Sequence, residues 1–386
     1  MVESRWLHWI GPGVVALGAV GAIASTTLGV SERSWTPRAC PGQATDRIAA
    51  IQDPGPPALD SMAREAWFRL DPVLDRDGGL TGQHLTLGLN GQRQSRRLRL
   101  PPESFAAGPF GRVILVGSDD GTRSRLEAFD VANGCSWSLA EESSVIRRAT
   151  MDRGGTTIYE TRVDRVSRAD LGVWTRSVDG TPGTERILDP LAADDRFGRT
   201  FSTEFTWDVD GRRLAVQACG EVACRTRIIS PGDGAQVTLD APDLGPTVGL
   251  AGDRIVTYRA CHGLPCEVVS TDLGTRHRDV LAAAAGAAIV VATMDGARLA
   301  YEIDDGTVSQ LRSVGLDGMD RLDLGPLPTG LGLHTDTARS GAATRVPIGW
   351  VLLAPDARLP LDGSAVRPRL RHLLDGSTVT LSEVAR

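Results

Sequence analysis

Four of the six cysteines form two copies of one short unit, and cysteine is the residue type here best suited to chemistry. Cys219 and Cys224 bracket four residues, Cys261 and Cys266 do the same, and the two units are 42 positions apart. Each unit lies between two apolar runs, so its sulfur atoms are expected to face each other across a hairpin loop. A disulfide there would fix the hairpin register. A zinc site with His262 is the alternative, but four ligands would have to converge from successive repeats.

The two remaining cysteines, Cys40 and Cys135, are predicted to be partners, which would tie an N-terminal segment to the second repeat. Each hairpin bridge closes a short loop and, by the chain-entropy model, adds about 2–3 kcal/mol. Disulfides persist outside the reducing cytoplasm, so these cysteines favour an exported protein.

Side-chain types found in catalytic and metal sites occur in the chain, but not in the patterns that such sites require. The histidines after the N-terminal segment share no metal-binding spacing; they are His84, His262, His277, His334 and His372. No G-x-S-x-G elbow, P-loop or dinucleotide-binding glycine pattern occurs. Acidic turns could coordinate Ca²⁺, although none has the alternating loop with a terminal Glu, and turn formation is the simpler interpretation. These turns are Asp119-Asp120-Gly121, Asp194-Asp195, Asp208-Val209-Asp210-Gly211 and Asp304-Asp305-Gly306. We predict no catalytic residue, no metal site and no cofactor.

The elements that would position any site come from a hairpin phrase that recurs seven times. Each copy is an apolar alternating run, a Gly/Asp/Asn turn and a second run that ends in leucine. The copies are Leu85–Leu100, Leu126–Leu139, Val173–Leu188, Thr226–Leu239, Glu267–Leu281, Gln310–Leu324 and Leu370–Leu381. A period in the forties built from hairpins is typical of propeller blades.

A further strand is predicted before six of these hairpins. The six are Val113–Val116, Thr157–Tyr159, Leu214–Val216, Ile255–Tyr258, Leu299–Tyr301 and Trp350–Leu353. We therefore predict an all-β protein, a β-propeller of seven four-stranded antiparallel blades, with six blades as the alternative.

The repeat resembles that of the TolB and PD40 (WD40-like) propeller family. The family repeat has an Asp-Gly turn, an apolar strand that often ends in Tyr, and a final hairpin with Asp-Gly before Leu. The matching residues here are Asp210-Gly211 with Leu239, Asp295-Gly296 with Tyr301 and Leu324, and Asp179-Gly180 with Leu188. The resemblance covers about residues 110–381 and implies a propeller. Such propellers serve as binding platforms, periplasmic assembly factors and enzyme accessory domains, so it does not imply one activity.

The N-terminal segment, residues 6–30, is apolar, carries no charged side chain and is long enough to cross a bilayer as a helix. We predict a transmembrane anchor at 1–30. A signal peptide cleaved at the small-x-small site Ala22-Ile23-Ala24 is the alternative. Either would place the rest of the chain outside the cytoplasm.

The chain after the anchor divides into two predicted parts. Prolines and glycines in residues 31–57 predict a spacer, and residues 58–386 are predicted to form the propeller. Within the second part, Ala58–Phe68 fits either a short helix or an inner strand of the first blade.

Charge gives little guide to a partner. The net charge is −6, and all 42 basic residues are arginine, which genomic base composition explains. The densest basic stretch, residues 93–99, alternates along one strand and predicts solvated edge arginines rather than a nucleic-acid surface.

Our leading hypothesis is a membrane-anchored or secreted propeller that binds or scaffolds an envelope protein, a peptide or a glycan and is not an enzyme. The alternative is a propeller hydrolase or lactonase with a metal held by acids in the central channel.

Overall fold

The computed structural model describes most of the chain after residue 65 and two short pieces before it. The described residues are 31–34, 36–40, 66–89, 94–152, 154–190, 202–208, 211–219, 224–239, 244–261, 264–284, 288–294, 298–304, 308–328, 331–333, 350–355 and 369–380. They contain β-strands and turns and no helix. None of this described part can therefore cross a membrane as a helix. The predicted anchor, residues 1–30, lies outside it.

The described strands number 29, in the following chain order. The first nine are β1 (Ser31–Ser34), β2 (Arg38–Ala39), β3 (Ala66–Leu74), β4 (Leu80–Leu89), β5 (Gln94–Leu100), β6 (Phe105–Phe110), β7 (Val113–Asp119), β8 (Ser124–Asp130) and β9 (Cys135–Glu142). The next eight are β10 (Val145–Met151), β11 (Thr157–Val163), β12 (Asp170–Ser177), β13 (Glu185–Leu188), β14 (Ser202–Trp207), β15 (Leu214–Cys219), β16 (Cys224–Ile229) and β17 (Gln236–Leu239). The last twelve are β18 (Leu244–Ala251), β19 (Arg254–Cys261), β20 (Leu264–Asp272), β21 (Arg278–Ala283), β22 (Ala288–Met294), β23 (Arg298–Asp304), β24 (Ser309–Gly315), β25 (Leu322–Pro326), β26 (Leu331–Leu333), β27 (Trp350–Pro355), β28 (Arg369–His372) and β29 (Thr378–Thr380).

These strands form seven sheets, which we number 1 to 7 along the chain. Sheets 3 to 7 are each four consecutive antiparallel strands, beginning with β10, β14, β18, β22 and β26. Sheet 1 has the order β1-β5-β4-β3 and sheet 2 the order β2-β9-β8-β7-β6. In these two sheets the outermost strand, β1 or β2, is added in parallel from the N-terminal segment.

The sheets are arranged around a common centre. The first strand of one sheet contacts the first strand of the next from β3 through β6, β10, β14 and β18 to β22, and sheet 7 follows through a contact between β26 and β23. Six apolar clusters fill the six spaces between successive sheets. Radiating antiparallel sheets with cores between their faces are the architecture of a β-propeller.

The closing leucines of the repeat are core residues. Those described are all buried between two sheets; they are Leu100, Leu139, Leu188, Leu239, Leu281 and Leu324, whereas Leu381 lies outside the described residues. The six strands predicted ahead of the hairpins are the second strands β7, β11, β15, β19, β23 and β27. Periodicity therefore identified the second strand of sheets 2 to 7 and the buried closing leucine of the six repeats in which that residue is described.

The N-terminal part of the chain differs from the prediction. Residues 31–57 were expected to be a spacer, yet β1 and β2 lie in them, because free backbone groups on the outer edges of sheets 1 and 2 accept parallel partners. Residues 66–68, the end of the segment that fitted a helix or a strand, open β3, the inner strand of sheet 1.

Arginines join successive sheets at the outer strands. In sheets 3 to 7 one arginine donates to a backbone carbonyl at or beside the closing leucine of the preceding sheet. These bonds run from Arg176 to Leu139, from Arg227 to Asp189, from Arg276 to Thr238, from Arg321 to Leu281 and from Arg371 to Leu324. We call each of these bonds an arginine latch. The aliphatic stem of the arginine packs on apolar surface, and its guanidinium donates to a carbonyl at the outer side of the preceding sheet.

Candidate functional site

The cysteines are placed as follows. Cys40 and Cys135 form a disulfide that fastens β2 to the first residue of β9, as the sequence predicted. Cys224 is also disulfide-bonded and lies directly opposite Cys219 in the β15–β16 hairpin.

The second cysteine unit differs in register. Cys261 lies opposite Leu264 rather than Cys266. The side chains of Cys219, Cys261 and Cys266 lie outside the described part, so both hairpin bridges stay predictions.

Histidines and acidic turns do not converge. His84 contacts Arg97 in sheet 1, His277 contacts Asp279 in sheet 5 and His372 contacts Asp375 in sheet 7. His262 and His334 lie outside the described residues. Within the described ranges no group of three metal-ligating side chains occurs.

The described aspartates of the acidic turns cap their own loops. Asp120 accepts the N–H groups of Thr122 and Arg123, and Asp208 accepts that of Arg212. Asp194, Asp195, Asp210 and Asp305 lie outside the described residues. Turn formation therefore accounts for Asp120 and Asp208, whereas Asp304 ends strand β23 and Asp119 pairs with Arg165.

A shallow polar depression lies at one end of sheet 3. Its volume is 460 Å³ and its lining residues are Thr156, Thr157, Thr175, Arg176, Ser177, Gly183, Thr184 and Glu185. Two of its hydroxyls are already committed, because Thr156 donates to Asp152 and Thr175 to the carbonyl of Glu185. It therefore offers a ligand few groups.

Charge is concentrated instead between sheets 2 and 3. Alternation puts Glu160 and Arg162 on the face of β11 that packs on sheet 2. Glu160 is completely buried and accepts bonds from Nε of Arg162 at 2.7 Å and from Nε and Nη2 of Arg176 at 3.0 and 2.8 Å. Arg176 also donates to Glu142 at 2.9 Å and to the carbonyl of Leu139 at 2.8 Å. Two positive and two negative charges balance, so this buried ion network is electrically neutral and holds the two sheets rigidly together.

A second ion pair joins the same sheets nearer their surface. Arg165 donates from Nη1 and Nη2 to the two carboxylate oxygens of Asp119 at 2.7 and 2.9 Å, and from Nε to the carbonyl of Ser143 at 3.0 Å. Burial alone would raise the pKa of Asp119. Hydrogen bonds from Arg165, Ser124 and the N–H of Gly121 outweigh that effect and hold the pKa below its ordinary value.

Arg165 belongs to the β11–β12 turn, which reaches from sheet 3 over sheet 2. Asp164 shapes this turn by accepting the N–H groups of Val166 and Ser167 at 3.0 and 2.7 Å. Arg168 has a φ of 61°, the left-handed region that favours glycine, at a cost of roughly 1 kcal/mol or more. The turn thereby directs Arg165 and Arg168 toward sheet 2 and leaves Val166 at its tip, 92% exposed.

Arg147, Arg168 and Glu103 form a cluster on the same edge, which we call the arginine site. Nη2 of Arg168 lies 3.1 Å from Oε1 of Glu103, and Nη1 of Arg147 lies 3.9 Å from Oε2. Glu103 is half exposed. Nε of Arg147 is buried and has no hydrogen-bond partner among the described residues. One accessible carboxylate is thus shared by two guanidinium groups.

Positive charge is incompletely neutralised around this site. Burial lowers the pKa of Arg147, and the charges of Arg168 and Arg148 lower it further against the opposing effect of Glu103. Together with Arg165 there are four arginines beside the three carboxylates of Glu103, Asp119 and Asp120, an excess of one positive charge. Such an excess in a partly desolvated place attracts an anion.

Arg147 is aimed by a β-bulge. The register of β10 with β11 shifts between Ile146 and Arg148, so Arg147 is the additional residue. In sheet 6 the strand β22 shifts in the same way between Ile289 and Val291. Bulges redirect side chains and recur beside functional sites.

The two bulged strands also match in sequence. β10 reads Ile-Arg-Arg-Ala-Thr-Met where β22 reads Ile-Val-Val-Ala-Thr-Met. Two arginines therefore replace two valines on one backbone frame. The fold does not require arginine there, which points to a role beyond folding.

Sequence reasoning missed the arginine site. Its members come from three separate segments, and Arg147 and Arg148 look like ordinary strand arginines when read alone. The signal that could have found them is the recurrence of Ala-Thr-Met-Asp after each of the two bulges, which aligns the arginine pair with the valine pair.

The comparisons with known proteins establish the fold. No family model matches the sequence, and no curated protein matches it. A prolyl endopeptidase structure aligns with a TM-score of 0.54 at 16% identity, over 87% of this chain and 52% of its own, so the chain spans about half of that protein.

Two other solved structures have more nearly the length of this chain. An oligogalacturonate lyase from Vibrio parahaemolyticus aligns with a TM-score of 0.51 at 9% identity, over 82% of this chain and 85% of its own. TolB from Acinetobacter baumannii aligns with a TM-score of 0.42 at 14% identity, over 71% of this chain and 66% of its own. The geometry of the sheets and the alignments with the prolyl endopeptidase and the oligogalacturonate lyase support the β-propeller fold that the resemblance to TolB and PD40 repeats implied.

Proposed function

We propose that the protein is an extracytoplasmic propeller of seven blades that binds an envelope partner, and that its binding surface is the edge of sheets 2 and 3 carrying the arginine site. The observation that carries this proposal is the excess of positive charge at Arg147 and Arg168. Arg147 stands at a bulge where the matching strand of sheet 6 carries valine, and Arg168 stands at the left-handed position of its turn. Features of this kind recur where a protein meets a ligand.

The extracytoplasmic location rests on two lines of support. The disulfide between Cys40 and Cys135, with a second one at Cys224, suits an oxidising compartment. The apolar segment at residues 6–30 has the length of an anchor or a signal peptide. A reporter enzyme that is active only outside the cytoplasm, fused after residue 386 of the full chain, should be active, and an inactive reporter would contradict this placement.

The buried ion network beneath the arginine site supports binding by a preorganised surface. Glu160 and Arg176 lock sheet 2 to sheet 3, and the ion pair of Asp119 with Arg165 holds the β11–β12 turn. Side chains held by such bonds lose little freedom when a partner binds, which lowers the cost of association. Loops on a rigid propeller are the usual place for such a site.

Site-specific photo-crosslinking tests the binding surface. A photoreactive residue at Val166, 92% exposed on the turn, should give a discrete adduct in intact cells, and Arg168→Gln in the same chain should abolish it. The control is Met319, 68% exposed on a turn of sheet 6, which should give no adduct. Equal adducts from both positions, or an adduct that survives the arginine change, would contradict the proposal.

An enzyme with a metal in the central channel is the second candidate, favoured by one finding. An oligogalacturonate lyase solved in complex with manganese aligns with a TM-score of 0.50 at 11% identity, over 82% of this chain and 85% of its own. Manganese, calcium and zinc should each be titrated into the full chain during thermal melting. A rise of several degrees in melting temperature would support the enzyme, and no shift would favour the binding module.

A further inference from the structure

We propose that the arginine site binds a carboxylate of an acidic peptide segment in a partner protein, and that Glu103 occupies the site as an internal stand-in until the partner displaces it. This inference rests on the proposed function and names the chemistry of its ligand.

The contacts of Glu103 show what fits between the arginines. Its carboxylate oxygens lie 3.1 and 3.4 Å from Nη2 of Arg168 and 3.9 Å from Nη1 of Arg147. The contact with Arg147 is therefore longer than a hydrogen bond. Glu103 is also half exposed, so it gains little from burial. Its hold on the site is weak enough for another carboxylate to replace it.

Arg147 retains donor capacity that Glu103 does not use. Its Nε is buried and unpaired within the described structure, and a guanidinium carries five N–H donors in a planar fork. A carboxylate placed deeper than that of Glu103 would shorten the contact with Arg147 while keeping Arg168. Two charge-assisted bonds would then replace one good bond and one long contact.

The neighbouring charges do not neutralise the site in another way. Asp119 is committed to Arg165 through two bonds. Asp120 lies 3.9 Å from Arg125 and caps its own turn. Glu103 is thus the carboxylate that stands between the paired arginines and an incoming anion.

A peptide is favoured over a sugar acid by the surroundings. Val166 stands fully exposed between Arg165 and Arg168, and offers an apolar contact to a side chain next to an acidic residue. Phe105 offers a sugar no accessible aromatic face, because it is buried and Arg148 lies over its ring.

The test measures binding of a fluorescent hexaglutamate peptide to the full chain by anisotropy at low salt, with hexaglutamine as the uncharged probe. Arg147→Gln and Arg168→Gln should each weaken hexaglutamate binding by about tenfold or more, the value of one charge-assisted bond. Arg123→Gln is the matched control, because Arg123 is an exposed arginine on the same edge, paired with Glu141. It should change the affinity less than twofold.

The direction in which Glu103→Gln changes hexaglutamate affinity distinguishes the proposal from a purely structural role of Glu103. Removing the stand-in should tighten hexaglutamate binding by about three- to tenfold, whereas a merely structural Glu103 would lower the melting temperature without any gain in affinity. Unchanged or weaker binding by this variant would overturn the inference, as would equal effects of Arg147→Gln and Arg123→Gln. Binding of oligogalacturonate in the absence of hexaglutamate binding would overturn the assignment to a peptide.

The two proposals can fail separately. If hexaglutamate does not bind but the crosslink at Val166 depends on Arg168, the surface binds a partner and the carboxylate chemistry is wrong. If no crosslink forms but the affinities follow the predicted order, the chemistry holds and the envelope partner is wrong.

Discussion

Glu160→Gln should be among the most destabilising single changes in this propeller, although it keeps the shape of the side chain. The glutamate is completely buried and its two oxygens receive bonds from Arg162 and Arg176. The amide removes one negative charge and leaves those two guanidinium groups with Glu142 alone. Removing one partner of a buried ion network typically costs about 3–5 kcal/mol because the remaining charge stays desolvated.

A partly exposed carboxylate in the same network provides the comparison. Glu142→Gln creates the same net charge, but the Glu142 side chain is 24% exposed, so water compensates the arginines there. We expect a loss of about 1 kcal/mol or less from this variant. The pair Glu160→Gln with Arg162→Gln restores neutrality and should recover part of the loss, with a coupling energy of about 1–3 kcal/mol.

Guanidinium denaturation of the full chain, followed by tryptophan fluorescence, measures these differences through the midpoint at a common slope. Trp137 and Trp174 report on the relevant interface, because Trp137 is buried between sheets 2 and 3 and Arg162 stacks on Trp174 at 4.4 Å. Equal losses for Glu160→Gln and Glu142→Gln would refute the reasoning, since burial would then not decide the cost. So would a double variant less stable than the sum of its parts.

Three further predictions concern stability. Cys40→Ser opens a bridge between residues 95 apart, so the free energy of unfolding should fall by about 4–5 kcal/mol in guanidinium, against about 2 kcal/mol for Cys224→Ser in its short hairpin; equal losses would contradict the loop-length argument. Burial, helped by the charge of Asp152, raises the pKa of Tyr159 to about 12, above the unfolded value near 10. The contribution of Tyr159 to the free energy of unfolding is therefore complete below pH 10, and about 2–3 kcal/mol of it is lost as the pH rises to 12. Melting temperatures measured across this range should show the loss, and the Tyr159→Phe variant should lack it. Arg321→Met removes the latch to Leu281 and should cost about 1–3 kcal/mol, while Arg123→Met on the surface should cost under about 0.5 kcal/mol.

The repeat was predictable because it follows from local chemistry. The turn Asp208–Gly211 shows why: the Asp208 side chain caps the N–H of Arg212, and Gly211 takes a φ of 69°. The closing leucines that the structure describes are buried because the alternation of side chains along each strand fixes which face meets the next sheet. Periodicity in the chain therefore carries the order of the repeated strands and the face that each of them buries.

The N-terminal strands were not predictable for the opposite reason. β1 and β2 have four and two residues, too few to show a period, and they pair in parallel with strands more than sixty residues away. Only the disulfide of Cys40 with Cys135 linked this segment to sheet 2 in the sequence. Edge pairing of this kind is decided by which sheet edge is free, a property of the assembled fold.

The candidate site could not be predicted from the sequence, for a related reason. Glu103, Arg147 and Arg168 are far apart in sequence, and none of the three departs from what a strand or turn accepts by composition. Their meeting depends on the bulge in β10 and on the left-handed Arg168, which sequence patterns do not report. The internal comparison of β10 with β22 isolates Arg147 and does not involve Glu103 or Arg168.

The interface of sheets 2 and 3 is where the ordinary arginine latch has been extended. In the latch from Arg321 to Leu281 the guanidinium binds backbone carbonyls of the preceding sheet, and in that from Arg227 to Asp189 one buried carboxylate, Asp170, lies at 3.6 Å as well. At Arg176 the same bond to Leu139 is kept, but Glu160 and Glu142 have been added and bring Arg162 with them. A latch needs no buried glutamate, and a buried ion network is a poor source of net stability compared with apolar packing. The buried ion network instead fixes the orientation of sheet 3 against sheet 2. It lies beneath the edge where Arg147 and Arg168 share the weakly held carboxylate of Glu103. That arrangement is expected if selection acted on the geometry of the arginine site rather than on the stability of the blade.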